Sequence, residues 1–226
     1  VHDVRITTNY RESDLSSLFS TFHETGHALY EQNVSESLIG GVLGSQVSLS
    51  LHESQSRLWE NMVGKSPDFL HFVYKKVARL FPDIAKVGER EFIAYVNEVR
   101  PSLIRVDADE ATYNLHIIIR FELELALLRG ELRGELDVKE LPEAWRAKMI
   151  EYLGIAPERD ADGVLQDVHW ACGLIGYFPT YLLGNLIAGQ IWRAAQRSIP
   201  DLADQLQNGQ TSALRQYLTD KLYSFG

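Results

Sequence analysis

The chain has 226 residues, 45% hydrophobic and 23% charged, the balance of a soluble globular protein with a sizeable core. Its formal net charge of -9 argues against nucleic acid and anionic membrane surfaces as partners. Cys172 is the single cysteine, so no disulfide can form within the chain. The expectation is a reducing, cytoplasmic setting with Cys172 as a buried, inert thiol.

In chain order, nearly every segment reads as helix. The opening Val1-His2-Asp3-Val4-Arg5 is polar and charged, unlike a secretory leader. Leu15, Leu18, Phe19, Phe22, Gly26 and Leu29 recur at helical spacing and predict an amphipathic helix over residues 14–32, capped by Ser13 or Asp14. Residues 39–44 form a glycine-rich loop or short strand without the lysine and helix context of a phosphate loop. Val47, Leu51, Leu58 and Met62 mark a second helix, closed by Gly64; Phe69, Phe72, Val73, Val77 and Leu80 mark a third. Phe92, Tyr95, Val96 and Val99 mark a fourth, ended by Pro101, and residues 103–106 read as a short strand. A long helix over 110–129 follows, then one opened by Pro142, a loop at 160–163, a long helix opened by Pro179, and two shorter helices. Residues 171–192 carry no charge and could span a bilayer. Pro179, Thr180, Asn185, Gln190 and four glycines favour instead a buried helix in a soluble core. The predicted fold is all-α, with at most a small β-sheet near residues 34–50 and 102–107.

The first predicted helix contains His23-Glu24-Thr25-Gly26-His27. A helix sets residues four apart on one face, so the two imidazoles can bind one zinc. Glu24 between them stays off the metal but near a metal-bound water, the arrangement of a zinc peptidase. The bland alternative is a surface helix carrying ordinary polar residues. His23 lies beside Phe19, Phe22 and Gly26 at the edge of the buried stripe, where a histidine needs a partner. Such a site needs a third protein ligand and an open fourth position. The HExxHxxGxxH continuation is absent, because Tyr30 and Asn33 occupy the added positions. Residues 37–51 contain no carboxylate, so the next candidates are His52 and Glu53, and helical phase does not choose between them. His71 and His116 read as ordinary helix histidines, and His2 is terminal.

Five segments in order resemble the Taq-type metallocarboxypeptidases, a zinc exopeptidase family related in fold to neurolysin and angiotensin-converting enzyme. Asp3-Val4-Arg5-Ile6-Thr7 is similar to its DxRxT motif, His23 to His27 to HExxH, and His52-Glu53-Ser54-Gln55 to its HES-Q segment. Ile104-Arg105-Val106-Asp107-Ala108-Asp109 is similar to IRxxAD, and Gly163-Val164-Leu165-Gln166-Asp167-Val168-His169-Trp170 to GxxQDxHW. The resemblance implies a multi-helix zinc peptidase domain, with one zinc ion per chain on His23, His27 and Glu53. It implies hydrolysis of the C-terminal bond of peptides, with Glu24 handling the proton of the attacking water. A planar guanidinium suits the substrate's terminal carboxylate; Arg105 is the first candidate and Arg5 the second, although Asp107 and Asp109 could instead make Arg105 a structural ion-pair partner. His169, Tyr177 and Tyr181 are candidate oxyanion donors, with Tyr113 a further one. Gln166 and Asp167 could orient His52 or the metal histidines. Alternatives are an oligo-endopeptidase or dipeptidase on the same scaffold, or an inactive helical fragment with a structural metal or none. A homodimer is implied by resemblance alone. The family's HPF motif is absent and its members are longer. Residues 1–226 therefore resemble a single catalytic region cut at both ends, with exposed apolar surface expected where a missing wall docks.

Overall fold

A computed structural model describes residues 3–11, 14–44, 48–133 and 137–226. Among these the α-helices are α1 (Ser16–Gln32), α2 (Leu49–Arg57), α3 (Pro67–Leu80), α4 (Pro82–Ala85) and α5 (Glu89–Val96). They continue with α6 (Glu110–Arg133), α7 (Leu141–Leu153), α8 (Pro179–Ser198), α9 (Leu202–Gln207) and α10 (Ser212–Lys221). The chain divides into two compact units, one of Val1–Val96 with Leu183–Gly226, the other of Asn97–Leu182.

Local sequence explains most helix boundaries. The Asp14 carboxylate accepts from the Ser16 N–H at 2.9 Å as α1 begins; Ser13 lies outside the described residues. Ser48 caps α2 by accepting from the Leu51 N–H, and Ser66 caps α3 by accepting from Phe69, with Pro67 in the first turn. Asp109 accepts the Ala111 and Thr112 N–H groups at the head of α6. The second predicted helix is present but not uniform. α2 runs directly into a π-helical stretch, Leu58–Val63, closed by a bond from the Gly64 N–H to the Trp59 carbonyl at 2.9 Å. Val47, expected to open that helix, lies outside the described residues.

In the first unit, one core gathers Tyr30, Leu58, Val63, Ala188, Leu206 and Leu214 from α1, the π-helical stretch and α8 to α10. A second lies where Leu18, Phe19 and Phe22 of α1 meet Leu70 and Val73 of α3 and Phe92 of α5. Each large apolar side chain that is fully buried there, such as Leu58 or Leu70, contributes about 1.5–3 kcal/mol. In the second unit, Ile119 and Leu123 of α6 pack with Trp145 and Met149 of α7, and Tyr113 and Ile117 pack with Phe178.

Among the described residues there is no strand, so the expected small sheet does not form. Residues Arg105–Asp107 make a 3-10 turn instead. Asp107 and Ala108 donate their N–H groups to Ile104 and Arg105, and the Arg105 N–H donates to the Gln166 side chain, so these groups are spent before any ladder. Val42–Gly44 is likewise a 3-10 turn. The uncharged stretch 171–192 is not one helix: turns occupy its start and α8 begins at Pro179. Cys172, expected to be buried, is exposed in the turn after His169. No helix among the described residues is long and apolar enough to cross a membrane.

Candidate metal centre

The 3.6-residue period of α1 stacks His23 and His27 on one face, with ring centroids 5.0 Å apart. Gly26, between them, lets α2 come unusually close. A Cβ there would lie 2.6 Å from the Ser56 Cα and press on the Gln55 carbonyl. Gly184 of α8 performs the same service behind Glu53, since its Cβ would sit 3.0 Å from the Glu53 Cγ.

This close crossing carries the Glu53 carboxylate to the histidines. Its Oε2 lies 3.8 Å from His23 Nε2 and 3.5 Å from His27 Nε2. All three ligand atoms fall within 4.8 Å of one another. Two ligands at tetrahedral angles around zinc, each about 2.0–2.1 Å from it, stand roughly 3.3 Å apart, so the donor set fits a metal of that size. Burial works to raise the Glu53 pKa, but His27, Arg57 and His23 outweigh it and lower it to about 2, so the group stays an anion.

His52, the other sequence candidate, turns elsewhere. Its Nε2 pairs with Glu31 Oε1 at 3.0 Å, and its ring stacks on His27 with centroids 4.5 Å apart. Burial and the neighbouring His27 lower its pKa. Glu24 is half-buried on α1 and, among the described residues, has no hydrogen-bond or ion-pair partner.

Two residues of the centre escape the sequence reading. Glu60, in the π-helical stretch, bonds to His23 Nδ1 at 2.9 Å. Arg57 bridges from Glu53 Oε1 to Glu60 Oε2, 3.1 Å on each side. Their signal in the sequence is spacing: Glu53, Arg57 and Glu60 stand at i, i+4 and i+7, one helical face. Gln166 and Asp167, expected to orient histidines of the centre, spend their hydrogen bonds on Arg105, Arg120 and nearby backbone carbonyls.

The second unit brings the remaining sequence-predicted residues together, Arg5 excepted. Arg105, 5% exposed, donates Nε and Nη2 to Asp167 and Nη1 to the Tyr113 hydroxyl at 2.8 Å. Three of its five N–H groups are thereby committed among the described residues. Asp107 and Asp109 are not its partners; Asp109 serves as the cap of α6. Arg120 pairs with the other Asp167 oxygen. His169 Nε2 and the Tyr181 hydroxyl are hydrogen-bonded at 3.0 Å, with the Tyr177 ring 5.4 Å from the imidazole. Burial lowers the His169 pKa, so the ring is neutral near pH 7. Arg5 is exposed in the first unit and pairs with Asp3.

The sequence profile of the carboxypeptidase Taq (M32) metallopeptidase family matches residues 1–226. The chain belongs to this family. Membership of a metallopeptidase family implies a metal cofactor. Thermostable carboxypeptidase 1 of Thermus thermophilus is 48% identical over 99% of this chain and 43% of its own length. Carboxypeptidase 1 of Bacillus subtilis is 43% identical over 99% of this chain and 44% of its own length. The M32 carboxypeptidase structure from Deinococcus radiodurans superposes with a TM-score of 0.92 at 46% identity, covering 98% of this chain and 44% of that one. The Pyrococcus furiosus carboxypeptidase superposes with a TM-score of 0.91 at 39% identity, covering 97% and 44%. The chain thus spans less than half the length of the curated M32 relatives it matches.

Proposed function

We propose that residues 1–226 act as one catalytic region of a zinc-dependent carboxypeptidase that removes C-terminal residues from peptides. The observation that carries this reading is the convergence of His23 Nε2, His27 Nε2 and Glu53 Oε2 in a chain of an M32 metallopeptidase family. A zinc ion held by these three supplies Lewis acidity and lowers the pKa of water toward neutrality. Glu24, one residue from the first ligand, takes the proton of the attacking water and passes it to the leaving amine. It has no structural pairing to give up in doing so.

Arg105 holds the substrate's terminal carboxylate through its two uncommitted N–H groups, one on each terminal nitrogen; Asp167 and Tyr113 fix the plane of the guanidinium. Arg5 is the second candidate. Tyr181 and Tyr177 donate to the developing oxyanion, and His169, the third candidate, acts through Tyr181: with its one proton on Nε2 given to the Tyr181 oxygen, it lets the Tyr181 hydroxyl donate its own proton. The single cysteine supports a cytoplasmic setting, and the net charge of -9 speaks against nucleic-acid partners. A homodimer is the proposed assembly, checked by light scattering.

The test is metal analysis together with hydrolysis of paired peptides bearing free and amidated C-termini. The expected result is one zinc per chain and cleavage of the free peptides alone. Equal cleavage of both overturns the carboxylate clamp, and failure to bind zinc overturns the metal centre.

A further inference from the structure

We infer that Glu60 and Arg57 are positioning residues of the metal centre, acting on its ligands rather than on substrate. The inference rests on the reading of His23, His27 and Glu53 as ligands. An imidazole presents a bare nitrogen to a metal only if its proton sits on the other nitrogen, and a carboxylate can do nothing but accept. Glu60 Oε2 lies 2.9 Å from His23 Nδ1, so the proton is held at Nδ1 and the lone pair of Nε2 is left facing Glu53. Glu60 keeps its charge in a nearly buried position because Arg57 Nη1 donates to the same oxygen.

Arg57 also fixes the third ligand. Its Nε donates to Glu53 Oε1, whereas Oε2 is the oxygen that faces both imidazoles. One oxygen is thereby reserved for the guanidinium and one is offered, which assigns Glu53 as a one-oxygen ligand. The chain of bonds from Glu53 through Arg57 and Glu60 to His23 ties two of the three ligands together, Glu53 on α2 and His23 on α1. His27 is held differently. Its Nδ1 is buried with no hydrogen-bond partner among the described residues, and its orientation comes from stacking on His52. The centre therefore has one histidine tied to a carboxylate and one held by packing, and its affinity depends unequally on their surroundings.

The experiment measures zinc affinity by competition with a chromophoric chelator for the wild-type protein and for Glu60→Ala, Glu60→Gln, Arg57→Ala and His23→Ala. Loss of the outer carboxylate is expected to weaken zinc binding roughly 10- to 100-fold in Glu60→Ala. Glu60→Gln, which keeps the shape and an acceptor but not the charge, should fall between it and wild type. Arg57→Ala should weaken binding as well. Nitrogen-15 NMR of the metal-free protein should find His23 protonated at Nδ1 in wild type, with the tautomer redistributed in Glu60→Ala; a purely structural role for Glu60 leaves that signature unchanged. If wild type binds zinc, His23→Ala abolishes binding, and both Glu60 variants bind as tightly as wild type, the inference fails while the ligand reading stands. If wild type does not bind zinc, or His23→Ala binds normally, the ligand reading itself has failed. Circular dichroism identifies any variant that does not fold, and Glu60→Gln, isosteric with the native residue, then decides alone.

Discussion

Glu24 and His116 show how two helix-borne polar residues acquire opposite tasks from their surroundings. Glu24 stands beside a proposed metal ligand with no partner of its own, which suits a group that must exchange a proton. Glu24→Gln keeps the shape and the flanking histidines. Its expected outcome is unchanged zinc content with kcat reduced roughly 100- to 10,000-fold, read by metal analysis and steady-state hydrolysis. His116 is fully buried on α6 near Arg120, and burial first, then that guanidinium, lowers its pKa from 6.5 to about 4. Between those values the unfolded chain binds a proton that the folded chain refuses. Stability is therefore complete above pH 6.5 and falls as the pH drops toward 4, by at most about 3 kcal/mol. Denaturant titrations across that window should show this acid slope, and His116→Leu should flatten it.

At the scale of elements, the crossing of α1 and α2 makes the centre, and it depends on the missing side chain at Gly26. The HExxH pattern leaves that position open, yet here only hydrogen fits against Gln55 and Ser56. Gly26→Ala should destabilise the protein by about 1–3 kcal/mol and weaken zinc binding, because α2 must retreat with Glu53 on it. Thermal melts and chelator competition check the two effects separately. The π-helical stretch adds a second contribution, since it carries Glu60 directly after α2. Periodicity made α1, α3, α6 and α8 legible, because their apolar stripes and prolines act within a few residues. The same reasoning gave a strand at residues 103–106, where Leu103, Ile104 and Val106 make an apolar run too short to fix one. The Gln166 side chain, 61 residues after Arg105 in sequence, captures the backbone there instead.

Across the whole molecule, two units each bury a core of their own, and the chain still spans only 43–45% of the curated relatives. A ligand that binds only the folded chain stabilises it by mass action. Free zinc at 100 times its Kd should add about 2.7 kcal/mol, a rise of roughly 5–10 °C in Tm for a chain of this size. Calorimetry with and without a chelator measures it, and Glu53→Ala should abolish the shift.

By itself the sequence determined most of the helices, the facing pair His23 and His27, and a net negative charge, because each follows from residue type and from spacings within a turn or two. The five motifs also carried the family, and with it Glu53. Only the tertiary structure decided which groups meet. Glu53 approaches the histidines while the adjacent His52 turns to Glu31, and Glu60 reaches His23 across 37 residues of chain. Arg105 is buried against Asp167, 62 residues on. No local period encodes such encounters; they are set by how closely helices can pack, and in the candidate metal centre that distance is fixed by a glycine.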